Sequence, residues 1–194
     1  MGDGHRAQAR IVFTAHSIPT SMATTSDYEK QLRANAQLIA ERLGHEHWDL
    51  VWQSRSGPPS VPWLEPDILD HLRALHAQGV PGVVIAPIGF LSDHVEVLYD
   101  LDEEARELCH ELALPMARAA TVGTHPAFVR MIVDLVIERL RSLPLQSVGP
   151  LPPCPHVCAP GCCPRPERPA AAAPAGTRPA GSAPEGGASG RRPG

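Results

Sequence analysis

Between positions 10 and 142 the chain alternates short apolar runs with segments whose apolar residues recur every three or four positions. Ile11-Val12-Phe13-Thr14 is a continuous run of the kind that fills a buried parallel strand. After a polar loop, Ser26 stands where a helix cap belongs. Tyr28, Leu32, Ala36, Ile39 and Leu43 then follow at helical spacing until Gly44 closes the segment. Trp48 to Gln53 predicts a second strand. Pro66 opens a helix that runs through Gln78, with Gly79 just beyond its end. Val83-Val84-Ile85-Ala86 predicts a third strand. The helix starting near His94 has a predicted buried stripe of Val95, Leu98, Leu101, Ala105, Leu108 and Leu112. Met116 to Thr121 predicts the fourth strand. A last helix, from His125 or Pro126, is expected to bury Phe128, Met131, Ile132, Leu135, Val136 and Leu140. Strands separated by helices imply an α/β fold: a doubly wound, mostly parallel four-stranded sheet with helices on both faces.

Composition changes the picture after Leu143. The 22 prolines and 16 glycines of the 194 residues are too many for one compact domain, and most of the excess lies there. Three parts are expected: a disordered start over 1–9, an α/β lobe over 10–142 and a disordered Pro/Ala/Gly-rich tail over 143–194. The net charge of −4 and the lack of a basic block in the lobe speak against nucleic acid as a partner. No apolar run approaches the ~20 residues of a membrane span, and no signal-like stretch opens the chain, so a cytoplasmic protein is expected. Without an export signal, five cysteines point away from a disulfide framework, toward metal or cluster ligation or inert thiols.

Ligands of open α/β sheets bind at the carboxyl ends of the strands. Those positions hold His16-Ser17-Ile18-Pro19 after strand one, and Gln53-Ser54-Arg55-Ser56-Gly57 with Trp63-Leu64-Glu65-Pro66 after strand two. Strand three leads into Pro87-Ile88-Gly89-Phe90-Leu91-Ser92-Asp93-His94-Val95-Glu96, and strand four into Gly123-Thr124-His125-Pro126. Imidazoles, carboxylates and aromatics gather on one edge, and no glycine-rich nucleotide motif follows any strand. Glu96, Asp100 and Glu104 recur every four residues and so form an acidic ladder on one helix face. Such a ladder suits a cation or plain solvent exposure, because like charges at that spacing repel. Asp93 and Glu96 also fit a capping box, which would account for Glu96 structurally. His94 fits a place near the site or on the surface. Cys109 reads as a packed thiol.

The runs FTAHSIP, WQSRSGPPSVPWLEPD and PIGFLSDHVEVLYDLDEEA carry a resemblance to the ferrochelatases, closest to the coproporphyrin ferrochelatases of actinobacteria. The resemblance covers roughly residues 10–142 and corresponds to the C-terminal lobe of a two-lobed enzyme. It implies insertion of Fe²⁺ into coproporphyrin III or protoporphyrin IX in heme biosynthesis, a lyase reaction. It makes His16 and Glu96 the catalytic pair facing the metal, with Asp100 and Glu104 as further metal ligands, while Ser54, Arg55 and Trp63 are porphyrin-binding candidates. An imidazole, ordinarily titrating near ~6.5, suits proton acceptance or iron ligation, and carboxylates suit a hydrated divalent ion. By the same resemblance Cys154, Cys158, Cys162 and Cys163 are candidate ligands of a 2Fe–2S cluster, with zinc or idle thiols as the alternatives. The partner would be a missing N-terminal lobe or a second copy. Two other readings stand beside it: a half-length homodimeric cobalt or sirohydrochlorin chelatase, and a porphyrin- or metal-binding fragment without turnover.

Overall fold

A computed structural model describes residues 8–158 and 160. Strands β1 (Arg10–His16), β2 (Trp48–Gln53), β3 (Val83–Ala86) and β4 (Met116–Arg118) form one sheet in the order β2-β1-β3-β4, with every pairing parallel. The expected parallel four-stranded architecture is present. The fourth strand is shorter than expected, because the chain leaves the sheet after Arg118.

β1 lies inside the sheet, and its alternating residues feed two cores. Val12 joins a core with Val51, Val83 and Ile85 that is covered by α3 (Ile68–Ala77) through Ile68, Leu72 and Leu75. Ile11, Phe13 and Ala15 join the other, covered by Leu32, Ala36 and Ala40 of α2 (Tyr28–Leu43). A short α1 (Thr20–Ala23) precedes α2. Gly44 ends α2 in the left-handed conformation at φ 63°, as its position suggested. Ser26 does not cap α2. The cap position is Asp27, without a side-chain bond, and the Ser26 hydroxyl donates to the Met22 carbonyl at 2.9 Å. α3 starts two residues after Pro66, where the Asp67 side chain accepts the Leu69 N–H at 2.8 Å.

The helix after β3 departs from the expectation. It begins as α4 (Val95–Val97), continues as a π-helical segment (Leu98–Glu104) and ends as α5 (Ala105–Glu111). The wider turns shift the phase of the apolar stripe. Val97, Leu101 and Ala105 are fully buried, whereas Val95 is 80% and Leu98 41% exposed. Leu108 and Cys109 close the buried face. Burial pushes the Cys109 thiol up to about 11, since the apolar core disfavours the thiolate. The native protein treated with iodoacetamide at pH 8 is therefore expected to label at Cys154 and Cys158, which are exposed, and not at Cys109. Peptide mass spectrometry checks this, and equal labelling of Cys109 would contradict the core placement.

The last helix, α6 (Pro126–Leu140), starts as expected, with Pro126 at its first turn and the His125 ring accepting the Ala127 N–H at 3.2 Å. Its predicted buried stripe is not buried. No residue of α6 is buried, and Met131, Ile132, Leu135 and Val136 are 44–51% exposed. The reason lies in the sheet. α2 covers the face over β2 and β1, and on the same face Ala117 of β4 is exposed with no helix above it. α6 does not return to that half-face. Residues 143–158 contain no helix or strand and stay mostly exposed, lying over α2 and α6: Gly149 sits against Leu38, and Arg139 donates to the His156 ring at 2.9 Å. Ala9 is buried, and its carbonyl lies 2.8 Å from His45 Nε2. No helix among the described residues is long and apolar enough to cross a membrane.

Candidate functional site

β1 delivers His16 to the carboxyl edge of the sheet. The strand is held on both sides by parallel ladders, and His16 pairs in register with Gln53. The next residue, Ser17, is fixed twice: its N–H donates to the Gln53 carbonyl at 2.8 Å and its hydroxyl to the Leu64 carbonyl at 2.9 Å. The His16 carbonyl accepts the Tyr28 hydroxyl at 2.9 Å. Burial raises the Tyr28 phenol above its usual range, so it stays a donor. The His16 ring is thus mounted on a backbone pinned through Ser17 and Tyr28.

The ring itself is oriented from behind. Nδ1 lies against the Ser17 carbonyl, which only accepts, so Nδ1 carries a proton and Nε2 is the nitrogen that faces outward. Nε2 lies 3.5 Å from Glu96 Oε1. An imidazole nitrogen and a carboxylate oxygen face each other there, a pair able to share a proton or hold a cation. Both side chains remain reachable, at 34% and 43% exposed. Phe90, almost buried, packs beside both His16 and His94, with ring centroids 6.5 and 5.4 Å away. Gly89 makes this approach feasible, because a Cβ there would stand 2.4 Å from that of Ala15.

The capping box is not formed. His94 occupies the cap position without a side-chain bond, and Asp93 accepts from Arg118 Nη1 at 2.8 Å instead. A charged guanidinium outcompetes a local amide for that carboxylate. Glu96 is consequently free of capping duty.

The other expected residues are distributed more widely. Asp100 does not join His16 and Glu96. Its Oδ2 accepts from the Ser54 hydroxyl and from the buried Gln53 amide, the latter at 3.1 Å. Ser54 reaches it from a left-handed backbone, φ 62°, an uncommon conformation for a side-chain-bearing residue. Burial pushes the neighbouring Asp67 carboxyl up, and the charges of Asp70 and Asp100 add to this. Glu104 is exposed. Arg55 is exposed as well, with long contacts to the Val61 carbonyl at 3.4 Å and Glu65 at 3.9 Å. Trp63 folds back on Gly57, where a Cβ would stand 2.2 Å from the indole nitrogen. Among the described residues no three of His, Cys, Asp and Glu converge on a metal-sized space. Cys154 and Cys158 are free, exposed thiols, and Cys162 and Cys163 lie outside the described residues. Two described cysteines are too few to hold a 2Fe–2S cluster by themselves. Tyr28 and Arg118 were not singled out by the sequence. Tyr28 looked like one more apolar helix position, and Arg118 like a position within the fourth strand.

Fold and edge together define an open parallel α/β lobe that presents a facing imidazole and carboxylate at its strand ends. A model of the ferrochelatase family matches residues 2–140, and the chain belongs to that family. A ferrochelatase of Rhodopirellula baltica is 54% identical over 169 residues, 86% of this chain and 48% of that protein. Coproporphyrin III ferrochelatases of Mycobacteroides abscessus and Nocardia farcinica are each 47% identical, covering 81% and 86% of this chain and 50% and 51% of those proteins. The chain thus spans about half the length of the curated relatives it matches. Among solved structures, a cobalamin biosynthesis CbiX protein of Marinobacter aquaeolei aligns with a TM-score of 0.47 at 18% identity, over 69% of this chain and 98% of that one.

Proposed function

We propose that this chain is the lobe of a ferrochelatase that carries the metal-facing pair, and that it inserts Fe²⁺ into a porphyrin once a second lobe closes the cleft. The observation that carries the reading is His16 Nε2 held 3.5 Å from the Glu96 carboxylate at the carboxyl edge of the sheet. Metallation brings one Fe²⁺ to the ring and releases two pyrrole protons. An imidazole lone pair and a carboxylate supply the proton acceptors and the ligands this exchange needs. Asp100, anchored by Ser54 and Gln53, and exposed Glu104 continue the negative charge along the same helix and supply a path for the hydrated ion. Arg55 is the cation placed to meet a propionate, whereas the Ser54 hydroxyl serves Asp100. Coproporphyrin III is preferred over protoporphyrin IX because several relatives are named for it.

The second lobe is either a preceding half of a longer chain or another copy of this one. The apolar, unburied α6 and the uncovered half-face over β3 and β4 support a partner of either kind. Fusing a matching ferrochelatase first lobe ahead of residue 10 tests the reading, with iron insertion into coproporphyrin III followed by absorbance. Turnover well above the uncatalysed rate is expected, and a soluble, folded fusion without turnover would contradict it.

A further inference from the structure

We infer that Arg118 is the positioning residue of the metal-facing helix, gripping it on both sides of Glu96 from the end of β4. The inference rests on the reading of His16 and Glu96 as the metal pair. Nε and Nη2 of the guanidinium donate to the two oxygens of Asp102, at 2.8 and 2.6 Å, while Nη1 donates to Asp93 at 2.8 Å and to the Ala119 carbonyl at 3.2 Å. Asp93 lies just ahead of α4 and Asp102 lies inside the π-helical segment, so one side chain bridges the stretch that holds Glu96 and Asp100. Arg118 is 13% and Asp102 14% exposed, so water screens this arm less than the Asp93 arm, whose carboxylate is 31% exposed.

The bridge has a physical task. A π-helical segment is rare and has weaker internal bonding than an α-helix, so tertiary contacts must hold it. On the core side Val97 and Leu101 do so, both fully buried, but apolar contact alone permits rotation or relaxation to an α-helix. Relaxation by one residue would turn Glu96 and Asp100 relative to each other and away from His16 and Ser54. The planar fork fixes both ends at once, which a point charge on a flexible stem does not. Arg106 supplies an internal control. It also bonds Asp102, at 2.6 Å, but is 62% exposed and grips the helix through Asp102 alone.

The test uses the full chain and Co²⁺ as the probe, scoring only the Co²⁺ binding that His16→Ala abolishes. Arg118→Lys is expected to weaken that binding about tenfold, within the range seen when partners that orient metal ligands are removed. Hydrogen exchange should rise over residues 95–104 and remain unchanged in α2 and α3. Arg106→Lys should leave both readouts unaltered. If Arg118→Lys does not fold, Asp93→Asn opens one arm only and should weaken binding in the same direction by a smaller factor. Equal Co²⁺ affinity in wild type and the Arg118 or Asp93 variant overturns the inference, as does an equal loss in Arg106→Lys. A wild-type chain with no His16-dependent Co²⁺ binding overturns the metal-pair reading beneath it.

Discussion

Joined to a matching first lobe, the His16→Ala protein is expected to lose iron insertion by ~10²-fold or more while still binding porphyrin. That is the scale on which removal of a positioned general acid or base acts. The ring is poorly replaceable here. Its Nδ1–H is committed to the Ser17 carbonyl, its backbone is tied to Tyr28 and Gln53, and only Nε2 faces outward toward Glu96. Porphyrin binding should persist, since it draws on apolar surface and propionate contacts rather than on this nitrogen. Titrating porphyrin by fluorescence quenching alongside the insertion assay separates the two. A loss below tenfold would count against His16 as the acceptor.

A second large effect is expected on assembly. Changing Ile132 and Val136 of α6 to Glu should convert an associated form of the chain to monomer, or prevent a first lobe from docking, as read by light scattering. The thermal midpoint of the monomer should hardly change, because exposed positions seldom cost more than ~0.5 kcal/mol. Were these residues a core stripe, as their spacing suggests, each substitution would bury a charge and cost several kcal/mol. Helices apolar on several faces are normally covered. Here Ile132, Val133 and Val136 stand 45–51% exposed, and the proposed partner is expected to cover them. Collapse of the monomer's thermal midpoint without change in association would contradict this.

The contrast between these helices shows what the sequence discloses and what it conceals. Strands β1 to β3 were legible because buried parallel strands leave continuous apolar runs with little ambiguity. The end of α2 was legible because Gly44 needs a left-handed backbone there. The burial of α6 was not legible, since periodicity reports that a face is apolar but not which surface covers it. The π-helical segment left no local mark. Val95 and Leu98 fit an α-helical stripe as well as Val97 and Leu101 do, and only the three-dimensional phase selects the latter. Asp93 failed as a cap for a related reason. The capping pattern is local, while Arg118 lies 25 residues away and reaches Asp93 only through the β4 position. His16 and Glu96 emerged because strand ends and family motifs pointed to the same edge. The separation of Asp100 from them did not, because it depends on Gln53 and Ser54 arriving from β2.

The central claim is that Glu96 works on the metal and its protons rather than on the helix. Its helix position has no capping bond to lose, since Asp93 is held by Arg118 and His94 occupies the cap without a side-chain bond. Glu96→Gln preserves shape and removes only the charge. The deciding measurement is the rate of iron insertion by the two-lobed Glu96→Gln protein beside its thermal midpoint. An unchanged midpoint with a rate at least tenfold lower is the predicted result. Insertion at the wild-type rate by an equally stable protein would contradict the assignment of this pair as the site.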